Sequence, residues 1–206
     1  MTNKVELIGY YGGDKTHALS AWTSTSRELT AEKEGRIDKL LKMLAREHHY
    51  TPFEKSYLHF LLTCDTASHI HLLKHRIAVS INAESARYKE LKEDKCYTPY
   101  DWPEELQKEF IESTKELYRK YHSSLKLLVE QYGFTRKRAK ESARYFLPYG
   151  NQLVLDVSFN FKSFMHFQGL RNKEDAQDEI RDIAVRMLDL VRETNQFDLS
   201  LEAFGF

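Results

Sequence analysis

LVLDVSFNFKSFMHFQGLR, residues 153–171, carries two kinds of structure back to back. LVLDVSF is rich in branched and aromatic side chains and reads as a strand, whereas about Phe161 to Leu170 reads as a helix. The same succession occurs upstream. Tyr57, Leu58, Phe60, Leu61 and Leu62 form an apolar run of strand length, and Thr66 to Arg76 has Ala67, Ile70 and Leu73 on one helical side. Outward from these two stretches, VELIGY alternates like a strand and stops at a Gly12-Gly13 turn. Between Glu34 and His48, the residues Ile37, Leu40, Leu41, Leu44 and Ala45 recur at helical spacing, with Pro52 just beyond. Pro103 opens a long helix that runs to Tyr132 and ends at Gly133. Thr135 caps a basic helix that stops near Pro148, and a last helix covers about Asp175 to Arg192. The fold class is α+β, in a single domain spanning residues 1–206.

Thirty-one basic residues balance thirty-one acidic ones, so the chain as a whole has no electrostatic reason to bind a nucleic-acid polymer or an anionic membrane. No stretch approaches the ~20 apolar residues of a membrane span, and no leader-like apolar run follows the N-terminus, which reads as a soluble cytoplasmic protein. Cys64 and Cys96 are too few for a disulfide framework or thiolate cluster, and His69 and His71 lack the companions of a zinc site. No metal is expected.

Four polar stretches stand out. KHRIAVSINAESARYKE, Lys74–Glu90, alternates cations with Ser80, Asn82 and Ser85 on a helix end and its following loop, the donor chemistry a phosphate needs; taken alone it also suits a solvated surface. Thr51-Pro52-Phe53-Glu54 follows His48 and His49. Arg136 to Arg144 is a basic helix face. Asn160, Lys162, His166, Arg171 and Gln177 spread over the helix after LVLDVSF, a turn and the start of the next helix, while Phe161, Phe164 and Phe167 suit a core better than a cofactor box.

In this order and at about these separations, the stretches resemble the motif series of the flavin-dependent thymidylate synthases. That family's hallmark is Arg-His-Arg, seven residues, Ser, then Arg-Tyr; here Lys74-His75-Arg76 is followed by eight residues, Ser85 and Arg87-Tyr88. TPFE at 51–54, SARYFLP at 142–148, and HFQGLR with DAQDEIR across 166–181 also match, so the resemblance covers about residues 37 to 185. It implies helices on a mainly antiparallel sheet, a homotetramer, and active sites shared between chains.

The resemblance also implies site residues. Thr51, Lys74, His75, Arg76, Ala83, Asn160, Phe161, Lys162 and His166 would bind FAD. The dUMP site would draw on His71, Leu72, Leu73, Lys74, Ala83, Glu84, Ser85, Ala86, Arg87, Arg171, and Arg144 from a neighbouring chain. Arg171 is the implied catalytic residue, stabilising charge on the pyrimidine. The implied reaction converts dUMP to dTMP, with NADPH and methylenetetrahydrofolate as co-substrates. Ser85 is implied as a ligand and not a nucleophile. The chain departs from the pattern at Lys74, at His71 and Ala83, where the family commonly has glutamine and glutamate, and by the extra residue before Ser85, which calls for a bulge around Val79. A pyrimidine 5-hydroxymethylase would share every motif. A nucleic-acid-binding module using 74–87 and 136–144 is the rival from another class.

Overall fold

The computed structural model describes residues 2–26, 28–85, 87–91 and 94–206. In chain order the elements are β1 (Lys4–Tyr11), α1 (Asp14–Trp22), α2 (Ala31–Glu34), α3 (Ile37–Arg46), a 3-10 turn (Thr51–Lys55), β2 (Tyr57–Asp65), α4 (Thr66–Leu72), β3 (Val79–Ala83), α5 (Glu104–Glu130), α6 (Arg136–Ala143), a second 3-10 turn (Arg144–Phe146), β4 (Gln152–Asn160), α7 (Phe161–Arg171), α8 (Asp178–Glu193) and α9 (Asp198–Ala203). The strands form one antiparallel sheet in the order β1-β2-β4-β3. Its register shows in bonds at the strand ends: the Asp65 backbone N–H donates to Asn3, the Asn160 N–H to the Ala78 carbonyl, and the Glu84 N–H to the Val154 carbonyl. Leu58, Phe60, Leu62 and Cys64 alternate inward along β2, as Leu155, Val157 and Phe159 do along β4.

The chain groups into two compact units, each assembled from separated stretches. One comprises Met1–Lys4, Thr63–Leu72 and Asn82–Leu155. Its helices α5 and α6 close over Tyr121, Leu125, Ala139 and Ala143. As the sequence indicates, Thr135 caps α6 by accepting from the Arg138 N–H, and Gly133 takes the left-handed backbone (φ 68°) that reverses the chain after α5. The other unit comprises Val5–Leu62, Leu73–Ile81 and Asp156–Phe206. There α7 lays Phe164 on Phe60 (5.6 Å between ring centres) and Phe167 on Phe159 (5.4 Å).

Three local expectations are corrected. The helix expected over Thr66–Arg76 stops at Leu72, and Val79–Ala83 is a strand, not loop. Between them the chain unwinds because its carbonyls serve α7: Ile77 O accepts from the Ser163 hydroxyl (2.8 Å) and Ala78 O from the Asn160 N–H (3.2 Å). Ala78, one position before the expected bulge at Val79, has a left-handed backbone (φ 51°) that turns the chain into β3. Helices α1 and α9 were not anticipated.

A buried polar relay ties α1 to α9. The Gly13 N–H donates to Ser56 Oγ (3.1 Å), and Ser56 Oγ donates to His17 Nε2 (2.7 Å). His17 Nδ1 donates to Ser200 Oγ (2.8 Å), and that hydroxyl donates to Asp14. This order of donors closes only around a neutral imidazole protonated at Nδ1. Burial accordingly pushes His17 down to about 3. Gly12, with φ 92°, seats the turn against Ser56; a Cβ there would lie 2.2 Å from Ser56 Oγ.

The unfolded chain protonates His17 near its ordinary value while the folded chain resists, so stability is full above that value and falls as pH drops toward 3. Asp14, raised by burial against its bonds from Ser200 and Leu199, acts in the opposite sense but only toward the carboxylate range. His69 is lowered by burial and adds to the slope. Denaturant unfolding between about pH 6.5 and 5 is expected to lose up to about 1.4 kcal/mol per pH unit from His17, and His17→Gln to remove that part. An identical slope in the variant would contradict the assignment.

Candidate functional site

Helix α7 carries Phe161, Lys162, His166 and Arg171, and its capping and packing decide which of them reach solvent. Asn160 is the N-cap: its Oδ1 accepts from the Ser163 N–H at 2.8 Å. Phe161, Ser163, Phe164, Met165, Phe167 and Gln168 are buried. Lys162 and His166, one turn apart, are left on the outer row, with Arg171 at the C-terminal end. Phe161 is therefore not available as a ligand side chain. Its ring is wholly buried and stacked flat on Phe197 (5.3 Å, 6°), so its part in any site is to anchor the helix.

The 3-10 turn with exposed Thr51 packs against the start of α7, where Phe53 and Phe161 stack at 6.3 Å. Lys162 Nζ lies 5.4 Å over the Tyr50 ring, which in turn stacks on Phe204. Sequence spacing held no signal for Tyr50, because its partner is far away in the chain; its only hint was adjacency to Thr51.

Between α4 and β3, Lys74 and Arg76 are exposed and His75 is buried, only 8% of its surface reaching solvent. The Arg171 Nε–H donates to His75 Nε2 at 3.1 Å. The His75 ring meets Phe167 edge-on at 5.1 Å and His166 at 6.0 Å. One unit thus brings the Lys74–Arg76 triplet to the outer row of α7. Among the described residues, no carboxylate pairs with exposed Lys74 and Arg76 or with half-buried Lys162, and accessible cations without a carboxylate partner suit an anionic ligand.

The candidates Ala83 to Arg87, Arg144, His71 and Leu72 belong to the other unit. Ala86 lies outside the described residues. Leu72 is wholly buried and offers no side chain to a ligand; His71 precedes it on α4, and Leu73 follows it, half exposed, in the unit that carries α7. Glu84 and Ser85 line a cavity of about 310 Å³ with Thr63, Lys89, Tyr121 and Val154. The Glu84 carboxylate is spoken for: it accepts from the Val154 N–H (3.1 Å) and pairs with Lys89. Burial raises its pKa, but the bonds from Lys89 and Val154 prevail and hold it below the usual glutamate value. Its carboxylate thereby extends the β3–β4 pairing by one residue and aims Ser85 at the cavity.

Arg87 is paired with Glu141 at 2.6 Å, whereas exposed Arg144 rests over Tyr145 with no acidic partner among the described residues. On α6, Arg136 pairs with Glu90 and Arg138 with Glu141, and Lys140 donates to the Tyr88 carbonyl. Neither cysteine is poised as a nucleophile: burial pushes Cys64 far above its ordinary value and raises Cys96 to about 11.

Comparison with known proteins identifies the family of the chain. The family model for Thy1, thymidylate synthase complementing protein, matches residues 6–195. The flavin-dependent thymidylate synthase of Pseudothermotoga lettingae is 31% identical over 188 residues, covering 88% of this chain and 81% of that protein. That of Pyrococcus furiosus is 30% identical over 186 residues, covering 89% and 70%. A crystal structure of the UMP/dUMP methylase PolB from Streptomyces cacaoi bound with 5-Br dUMP superposes with a TM-score of 0.77 at 26% identity, over 98% of this chain and 94% of that one. The same enzyme bound with 5-Br UMP gives 0.74 at 25%, over 98% and 93%. With the family model spanning nearly the whole chain, the protein is an enzyme and belongs to the flavin-dependent thymidylate synthases, a family of methyl-transferring flavoenzymes.

Proposed function

We propose that the protein is a flavin-dependent thymidylate synthase that reductively methylates dUMP to dTMP, taking the one-carbon unit from methylenetetrahydrofolate and using NADPH as reductant with FAD as cofactor. The observation that carries this reading is that exposed Lys74 and Arg76 flank the His75–Arg171 pair and half-buried Lys162 lies on the same helix as Arg171, none of the three cations having a carboxylate partner among the described residues. A dinucleotide diphosphate suits such cations, and Thr51, Asn160 and His166 of the same unit complete the set that would hold FAD, with Phe161 fixing the helix from behind. Bound FAD supplies the hydride that completes the methyl group.

The chain's own residues have separate tasks. Arg171 holds negative charge that develops on the pyrimidine ring, a contribution that grows toward the transition state. Ser85 offers a hydroxyl to the nucleotide, and its Oγ accepts from the Arg87 N–H at 3.3 Å. Arg87 reaches a nucleotide phosphate by leaving or sharing Glu141, and Arg144 completes that grip from a neighbouring copy of a homotetramer. His71, Leu72, Ala83 and Glu84, in the same unit as Ser85, would frame the nucleotide by position. Activation of the ring without an enzymic thiolate agrees with the raised Cys64 and Cys96.

The likeness to PolB favours a second reading of substrate range, in which UMP is accepted beside dUMP. Incubating the protein with FAD, NADPH, methylenetetrahydrofolate and either nucleotide, followed by product mass analysis, tests both. The expected product is one methyl heavier than dUMP; a hydroxymethylated product, or turnover of UMP alone, would overturn the assignment.

Arg171→Ala is expected to lower tritium release from carbon 5 of labelled dUMP by roughly a hundredfold or more, as for loss of one preorganised donor. Arg171→Lys should recover only part, since a point charge lacks the planar fork. Near-normal turnover in Arg171→Ala would return the arginine to a structural role at the helix end.

A further inference from the structure

We infer that His75 is a positioning residue for Arg171, holding the guanidinium plane in place from within the Lys74–Arg76 triplet; this rests on the reading of Arg171 as the group beside the pyrimidine. The geometry is direct. The Arg171 Nε–H donates to His75 Nε2 at 3.1 Å, a bond between residues 96 positions apart in the chain. Because Nε2 accepts, it carries no proton, so His75 is a neutral imidazole with its proton on Nδ1.

The ring cannot easily turn away. It is 8% exposed and held edge-on by Phe167 at 5.1 Å and 75° and by His166 at 6.0 Å and 67°. Phe167 is itself wholly buried against Phe159. Arg171, by contrast, is half-buried at the last turn of α7, where a long side chain is otherwise free to sample rotamers. A bond at Nε engages the inner edge of the guanidinium and does not use either terminal nitrogen, the fork that reads planar acceptors. His75 sits between Lys74 and Arg76, so the segment proposed to grip the cofactor also orients the arginine proposed to act on the nucleotide. The two halves of the reaction share one hydrogen bond.

The test is a double-mutant cycle on the flavin-loaded oligomer. His75→Phe keeps a ring against Phe167 but removes the acceptor, whereas His75→Gln can place an oxygen near the position of Nε2. Turnover by tritium release, nucleotide KM and FAD affinity by titration are measured for each, alone and combined with Arg171→Ala. His75→Phe is expected to lower kcat about tenfold or more, as for a misplaced catalytic group, and His75→Gln to recover most of it. In the Arg171→Ala background, His75→Phe should cost less than about threefold, because the group it positions is gone. Equal losses in both backgrounds, as a role in FAD binding alone would produce, overturn the inference, and so does a His75→Phe enzyme within about twofold of wild type. Should His75→Phe not fold, nitrogen NMR of wild type labelled at histidine decides: a proton on Nδ1 with unprotonated Nε2 supports the pairing, and the opposite tautomer overturns it. Failure of the underlying reading is separately visible, as normal turnover in Arg171→Ala alone.

Discussion

The rotation of α7 about its own axis governs the candidate site, and aromatic packing sets that rotation. Strand β4 passes into α7 at Asn160, whose side chain caps the helix, a contribution of about 1 kcal/mol. The next residue, Phe161, lies flat on Phe197 and near Phe53, while Phe164 and Phe167 bury the following turns against β2 and β4. Truncating a buried phenylalanine typically costs about 3–5 kcal/mol, so turning the helix to expose any of the three is out of reach. Lys162 and His166 must then face outward and Arg171 must end beside His75. The backbone of 77–78 responds to the same helix, giving its carbonyls to Asn160 and Ser163 rather than to a continued α4.

Local signals were enough wherever one stretch decided its own structure. Strand β4, α7, the capped α6 and the glycine after α5 are all readable from side-chain type and spacing. The failures have a common physical cause, which is dependence on a distant partner. Val79–Ala83 sits in a polar, charge-bearing run and becomes a strand only because β4 offers it a pairing edge. Helix α1 buries His17, a residue that reads as polar, and it can do so because Ser56 and Ser200 satisfy both ring nitrogens. Phe161 belongs to a motif stretch and to the core at once, and the core claims its ring.

Of the candidate site, residue identities were legible and their coupling was not. Nothing in the spacing shows that His75 and Arg171 touch, that Tyr50 lies beneath Lys162, or that Glu84 spends its carboxylate on Val154 and Lys89. The distribution of charge is equally invisible to composition. A chain with zero formal net charge has Arg136 and Arg138 of α6 engaged in ion pairs, while exposed Lys74 and Arg76 and half-buried Lys162 have no carboxylate partner among the described residues. That contrast separates a surface built for solubility from one suited to a ligand's negative charge.

The most direct measurement of this account is a crystal structure of the oligomer with FAD bound. The account predicts the cofactor diphosphate within hydrogen-bond reach of Lys74, Arg76 or Lys162, with Phe161 still stacked on Phe197 and Arg171 still bonded to His75. A flavin bound away from those cations, or an α7 rotated to release Phe161, would contradict it.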